Sequence, residues 1–299
     1  MNDPYGRPTR SIRISVNNNC NLDCYYCHNE GQAKSNIVMS PEQIEKILFL
    51  AKRLDITKVK FTGGEPLLRN DIADIIYRAS KYMDDVSITT NGTLLSPIAN
   101  DLKKSGLNRV NVSLDSINPE KYKKITGKNL LDKALNGIKA AVKAEIHPVK
   151  VNIVALSDMN IEDIMKIVKK VWSMKGIPQI IELVDINDKN YLDISQIEKY
   201  IISKAVNVKE RSMHKRKIYD LIDDDGNVKN VEIVRPTHNT EFCANCSRIR
   251  VTSNGFLKPC LMHNNGLVDI LTSIRNEEDD ETQLKLFKSA IMNRAPCWS

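Results

Sequence analysis

The chain has 299 residues, 41% of them hydrophobic and 27% charged, enough to bury a core in one large α/β domain or two medium ones. Periodic apolar blocks exclude disorder, and 12 Gly and 11 Pro without period exclude collagen-like and low-complexity architectures. A formal charge of +7 permits an anionic partner, yet the basic run 209–217 lacks interleaved aromatics, so nucleic acid is not expected.

No apolar run reaches the roughly 18 residues of a membrane helix. The opening residues carry no signal-peptide apolar region, so a soluble, cytoplasmic protein is expected. Short, β-branched segments predict strands over 12–16, 59–62, 86–90, 110–114, 150–156 and 180–184. Helical patterns lie between them over 41–54, 71–82, 97–105, 130–144 and 161–174. Ser40-Pro41-Glu42-Gln43 reads as an N-cap followed by Pro at the first helical position. Six βα repeats predict an α/β fold, an incomplete (β/α)6 TIM barrel with functional residues at the C-terminal strand ends. Past residue 185 the alternation stops. A helix over 191–205 and a hairpin of 215–222 with 228–234 are expected, in a C-terminal α+β region that packs across the open barrel. The division expected is 1–190 and 191–299. The basic run 209–217 reads as a solvated turn or edge strand, and the acidic stretch 277–281 as a solvated loop.

Seven cysteines without a secretion signal argue against a disulfide framework. Six form two trios, Cys20-x3-Cys24-x2-Cys27 and Cys243-x2-Cys246-x13-Cys260; Cys297 stands apart and reads as a free thiol. Three thiolates per group suit an iron–sulfur cluster with one open iron, or a zinc site completed by a fourth ligand. His28 follows the first trio, and His238 and His263 flank the second. An x3-x2 spacing is unusual for zinc; the C-terminal trio fits either metal.

The segment Cys20-Asn21-Leu22-Asp23-Cys24-Tyr25-Tyr26-Cys27 resembles the CxxxCxΦC signature of radical S-adenosylmethionine enzymes, with Φ aromatic. The resemblance implies a [4Fe–4S] cluster on these three cysteines, S-adenosylmethionine on its open iron, and reductive cleavage to a 5′-deoxyadenosyl radical. Thr62-Gly63-Gly64-Glu65-Pro66 resembles the GGE motif of that superfamily, in which the backbone and Glu65 hold the methionine amine. Tyr26, Gly64 and Ser113 match positions that contact S-adenosylmethionine.

Phe242-Cys243-Ala244-Asn245-Cys246-Ser247-Arg248-Ile249-Arg250-Val251-Thr252, continuing to Lys258-Pro259-Cys260-Leu261, resembles the FCxxCNRxRxT…KPCL stretch of the GTP 3′,8-cyclases, the MoaA family of molybdenum-cofactor biosynthesis. This resemblance implies a second [4Fe–4S] cluster in the C-terminal region, whose open iron orients guanine. It further implies abstraction of the C3′ hydrogen of GTP, attack on C8 and formation of 3′,8-cyclo-GTP. The implied partners are a downstream cyclic pyranopterin monophosphate synthase and an electron donor such as ferredoxin or flavodoxin. The alternative is another two-cluster enzyme of the superfamily acting on a peptide or tetrapyrrole. Arg13, Lys60, Thr89, Lys150, Arg248 and Arg250 match positions that contact GTP. Charge chemistry agrees. Strand alternation turns Arg13, Lys60 and Lys150 into the barrel, where a lone cation needs an anion. Arg248 and Arg250 share a face in extended chain and could grip one substrate.

Four departures stand out. Gln179 occupies the place of a sixth-strand Arg, Val184 that of a Met beside the adenosyl group, and Ser247 that of the Asn in CNRxR. The chain ends Ala295-Pro296-Cys297-Trp298-Ser299 where many relatives end Gly-Gly, and Arg294 is a candidate for the substrate's neighbourhood.

Overall fold

Alternation along the strands builds a barrel wall that is apolar outside and polar inside. The computed structural model describes residues 1–185, 188–236 and 240–296. Six strands run parallel in chain order: β1 (Ser11–Ser15), β2 (Lys58–Thr62), β3 (Asp85–Thr90), β4 (Arg109–Ser113), β5 (Val149–Ala155) and β6 (Ile177–Glu182). Ile12, Ile14, Val59, Phe61, Val86 and Ile88 belong to the buried apolar core. The intervening positions carry Arg13, Lys60, Ser87, Thr89 and Asn111. The inner face of these strands is thus kept for polar work.

Five of the intervening helices fall within a few residues of expectation: α1 (Pro41–Arg53), α2 (Ile72–Ser80), α3 (Ala99–Lys104), α5 (Leu131–Lys143) and α6 (Ile161–Ser173). A further helix, α4 (Pro119–Thr126), was not expected. Capping chemistry sets the starts. Ser40 and Gln43 form a capping box on α1, Asn160 and Asp163 another on α6, and Asn118 caps α4. Among the described residues no helix is long and apolar enough to cross a membrane.

The C-terminal third departs from expectation. It does contain the expected helix, α7 (Ser195–Lys204), and the hairpin. After β7 (Asn207–Glu210), strands β8 (Lys217–Ile222) and β9 (Val228–Val234) pair antiparallel around a turn in which Asp223 accepts the Asp225 and Asn227 N–H groups. This region extends both edges of the barrel sheet. β9 pairs parallel with β6, placing Gln179 opposite Glu232. A short α8 (Thr240–Ala244) precedes β10 (Arg248–Val251), which pairs parallel with β1 and places Arg250 opposite Arg13. Among the described residues eight strands therefore run parallel, in the order β10-β1-β2-β3-β4-β5-β6-β9. Antiparallel β8 and β7 continue the sheet at one side, β11 (Phe256–Lys258) and β12 (Val268–Asp269) at the other. The flanks meet where the His214 ring stacks on Phe242, centroids 3.8 Å apart, and His214 N donates to Asn245 O.

Two charge runs are also better ordered than their composition suggests. Arg211 and Arg216 reach the buried carboxylate of Glu232, at 3.0 and 3.8 Å. In the acidic stretch Asp279 caps α10 (Asp280–Met292), and Asp280 pairs with Lys46 and Arg53 of α1. That helix and α9 (Leu271–Arg275) were not expected. The basic run does include the expected edge strand, β7, last in the sheet and exposed at all four residues, with only its two arginines drawn to Glu232; in the acidic stretch the Asp280 pairs turn a solvated loop into a docking contact.

Candidate active site

The loop after β1 carries the first trio and is pinned from two sides. Asp23 N and Tyr25 N donate to the carbonyls of Thr126 and Ile125 at the end of α4. On the other side, Gly64 N donates to Asn17 O and Glu65 N to Asn19 O, while Asn17 Nδ2 returns a bond to Glu65 O. Gly64 must be glycine for this contact, since a Cβ there would lie 2.2 Å from Asn19 O. Cys27 N donates to Cys24 O, closing the turn; Cys20 and Cys27 are exposed and Cys24 is half-buried. Burial raises the thiol pKa of both Cys20 and Cys24.

The second trio spans α8, the turn after it and the end of β11. Cys246 N donates to Cys243 O across the CxxC turn, and all three thiols are half-buried. Both trios line one cleft of about 400 Å³ at the C-terminal ends of the barrel strands, together with Arg13, Tyr26, Gly63, Gly64, Thr89, Ser113, Val184, Arg248 and Arg250. Among the described residues no three His, Cys, Asp or Glu side chains are grouped so as to hold a single metal ion. His28 and His263 line the cleft; His238 and Cys297 lie outside the described residues.

Three predicted site residues do not line the cleft. The Glu65 carboxylate is buried and accepts from Leu67 N, Thr90 Oγ1 and Asn91 N, so it ties the end of β2 to the end of β3. Burial raises its pKa against those bonds. Lys60 Nζ donates to Asn111 Oδ1 at 2.6 Å, and Lys150 pairs with Glu232. Gln179 donates to the other oxygen of Glu232 at 2.7 Å.

Most of the inward cations therefore find their anion within the chain and need no external one. Lys150 has Glu232. Arg13 and Arg250 have Glu30, which sits 3.4 and 2.7 Å from them and accepts from Thr62 Oγ1. Sequence reasoning missed Glu30, although its position three residues past Cys27 was a signal that it rides with the cysteine loop. Despite burial, Arg13 and Arg250 hold its carboxyl down at about 2. Arg248 differs. Among the described residues no carboxylate pairs with it, and burial, then Arg13 and Arg250, pull its pKa down to about 9.

Tyr26 and Asp115 form a second polar centre beside the first trio. The Tyr26 hydroxyl donates to Asp115, whose other oxygen accepts Val154 N at 2.8 Å. Burial pushes the Asp115 carboxyl up to about 6, against both bonds. Thr89 accepts a long 3.5 Å bond from Arg13. Arg294 also borders the cleft, with its guanidinium engaged by Asp3, Thr9 and Cys246.

The chain is similar to known proteins along its whole length. The Radical SAM superfamily profile matches residues 14–171, and the Molybdenum Cofactor Synthesis C profile matches residues 179–299. A probable GTP 3′,8-cyclase of Pyrococcus horikoshii is 44% identical over 305 residues, covering 99% of this chain and 98% of that one. Another, of Methanocaldococcus jannaschii, is 45% identical over 287 residues, covering 94% of each. Among solved structures, Streptococcus suis SuiB bound to S-adenosylmethionine aligns with a TM-score of 0.70 at 17% identity, over 89% of this chain and 64% of SuiB. Native anSMEcpe with bound AdoMet aligns at 0.67 and 15%, over 95% and 83%. At those identities the structures speak for the fold: a parallel-dominated α/β sheet of the partial-barrel kind. Identity along essentially the whole length goes further, and the chain belongs to the GTP 3′,8-cyclase family of the radical SAM superfamily.

Proposed function

We propose that this protein is a GTP 3′,8-cyclase that binds S-adenosylmethionine and two [4Fe–4S] clusters and converts GTP to 3′,8-cyclo-7,8-dihydro-GTP, the first step of molybdenum-cofactor biosynthesis. The observation that carries the reading is the shared cleft: two cysteine trios and an arginine without a described carboxylate partner open on one volume.

The donor sets suit the groups assigned to them. Each trio offers three thiols at a cleft wall, the donor set of a cluster with one open iron. When bound, the first cluster with S-adenosylmethionine supplies a 5′-deoxyadenosyl radical for hydrogen abstraction. The chain's own residues do the rest. Gly63 and Gly64 line the cleft and, lacking a Cβ, let the cysteine loop lie against them at Asn17 to Asn19, with Glu65 bracing that turn from behind. Tyr26, held by Asp115, stands with Ser113 and Val184 along the cofactor side of the cleft. Arg248, Arg250, Arg13 and Thr89 form the polar wall for GTP, while Lys60 and Lys150 stay behind it in the barrel interior on Asn111 and Glu232. Cys243, Cys246 and Cys260 hold the second cluster, which would orient the guanine. In this reading residues 1–190 form the radical-generating barrel and 191–299 the auxiliary-cluster region. A ferredoxin or flavodoxin delivers the electron, and a cyclic pyranopterin monophosphate synthase takes the product.

The test is anaerobic reconstitution followed by incubation with S-adenosylmethionine, dithionite and GTP. About eight iron and eight sulfide per chain are expected, with 5′-deoxyadenosine formed in step with the cyclised nucleotide. The double variant Arg248→Ala/Arg250→Ala should lose the response to GTP and keep uncoupled cofactor cleavage. About four iron with one bound zinc, or cofactor cleavage indifferent to GTP in the parent, would overturn the assignment.

A further inference from the structure

The two ends of the chain meet behind the second cysteine turn. Asp3, Arg7 and Arg294 are each at least nine-tenths buried. Asp3 Oδ2 lies 2.6 Å from Arg7 Nε and 3.2 Å from Arg294 Nη1, so one carboxylate serves two guanidiniums. Its other oxygen accepts Tyr5 N and Arg7 N, closing the N-terminal turn. Each guanidinium then reaches a cysteine carbonyl. Arg7 Nη1 donates to Cys243 O at 3.2 Å, and Arg294 Nη2 to Cys246 O at 2.5 Å. Arg7 further binds the carbonyls of Ala295 and Pro296, at 2.5 and 2.9 Å, and Arg294 reaches Thr9 Oγ1 at 3.3 Å.

Burying two cations against one anion is costly unless their donors are used, and here they are used on the carbonyls of the CxxC turn. Those donors hold a turn whose helix is only five residues long. They also leave a net positive charge behind sulfurs that are anionic when they ligate iron.

We propose that Asp3, Arg7 and Arg294 form a positioning triad that fixes the Cys243–Cys246 turn and raises the reduction potential of the cluster held there; this rests on the reading that the second trio binds a cluster. Net charge and nearby hydrogen bonds are among the protein's levers on such a potential.

Two measurements on the full chain test it. The first is amide hydrogen exchange of the iron-free protein. Arg294→Gln is expected to speed exchange at residues 243–247 at least tenfold and to leave strands β1 to β6 unchanged. The second uses a full chain with Cys20, Cys24 and Cys27 replaced by Ala, so that only the second trio remains, followed by an EPR redox titration after reconstitution. Arg294→Gln is expected to shift the midpoint potential negative, Arg294→Lys to restore most of it, and Asp3→Asn to shift it positive. If Arg294→Gln does not fold, Asp3→Asn carries both readouts. Unchanged exchange, exchange raised evenly across the barrel, or an unchanged potential would overturn the proposal. A parent that binds no iron at the second trio would instead overturn the cluster reading, and raised local exchange would still identify the triad as what holds the turn.

Discussion

Glu30 and Arg250, 220 positions apart, form an ion pair at 2.7 Å that joins the first cysteine loop to strand β10. Arg13 on β1 stands 3.4 Å from the same carboxylate and Thr62 on β2 donates to it, so one side chain gathers three strands at the cleft. Glu30 thereby engages two of the cations that strand alternation had marked for an anionic substrate; of those that line the cleft, Arg248 is left with no described carboxylate partner.

Glu30 makes acid stability its signature. Its folded carboxyl is held at about 2 against an ordinary 4.5, so its stabilisation is complete above about pH 5 and is lost as pH falls toward 2. That shift corresponds to about 3 kcal/mol at neutral pH. Glu30→Gln should therefore be less stable than the parent at pH 7 by about 2–3 kcal/mol, with the gap narrowing toward pH 3. Urea unfolding at the two pH values checks this; an equal gap at both would be inconsistent with the pair.

Arg248→Ala should separate binding from stability. Losing a charge-assisted contact to an anion typically costs about 1.5–3 kcal/mol, so GTP affinity of the reconstituted protein should fall about 10- to 100-fold. Thermal stability of the unliganded chain should not fall, because the substitution removes a cation that sits among other cations. Titration calorimetry and a melting curve decide it, and intact GTP affinity would remove Arg248 from the site.

Gly64→Ala addresses the first trio. The added methyl would meet the backbone of Asn18 and Asn19, the two residues before Cys20. The cysteine loop has to move, and iron content should drop from about eight to about four per chain while the second trio stays loaded. Full loading of both trios would mean that the loop tolerates the displacement.

Glu232 and Lys150 are partners of unequal importance. Glu232 faces Lys150, Arg211 and Arg216, so Glu232→Gln strands three cations and should cost about 3–5 kcal/mol. Lys150→Met leaves two cations for the carboxylate and should cost about 1 kcal/mol or less. Denaturant midpoints compare the two; a Lys150→Met penalty as large as that of Glu232→Gln would contradict this ordering.

Local chemistry carried a large share of the reading. Short β-branched segments and period-3.6 patterns located the six barrel strands and the five helices between them, because each element's buried residues are written in its own stretch of chain, as Val59 and Phe61 are in Lys58-Val59-Lys60-Phe61-Thr62. The cysteine spacings and the Gly63-Gly64 turn were legible for the same reason: ligation and close approach need particular residue types at short separations. Beyond those separations the signal ends. No periodicity tells β9 to run beside β6 or β10 beside β1, and so nothing local revealed that the barrel's edges are extended by residues 53 and 237 positions away. A charge shows its sign in sequence and its partner only in space. Lys150 finds Glu232, Arg250 finds Glu30, and Arg7 and Arg294 find the cysteine carbonyls because the folded backbone brings them within hydrogen-bond reach, where pairing replaces lost hydration.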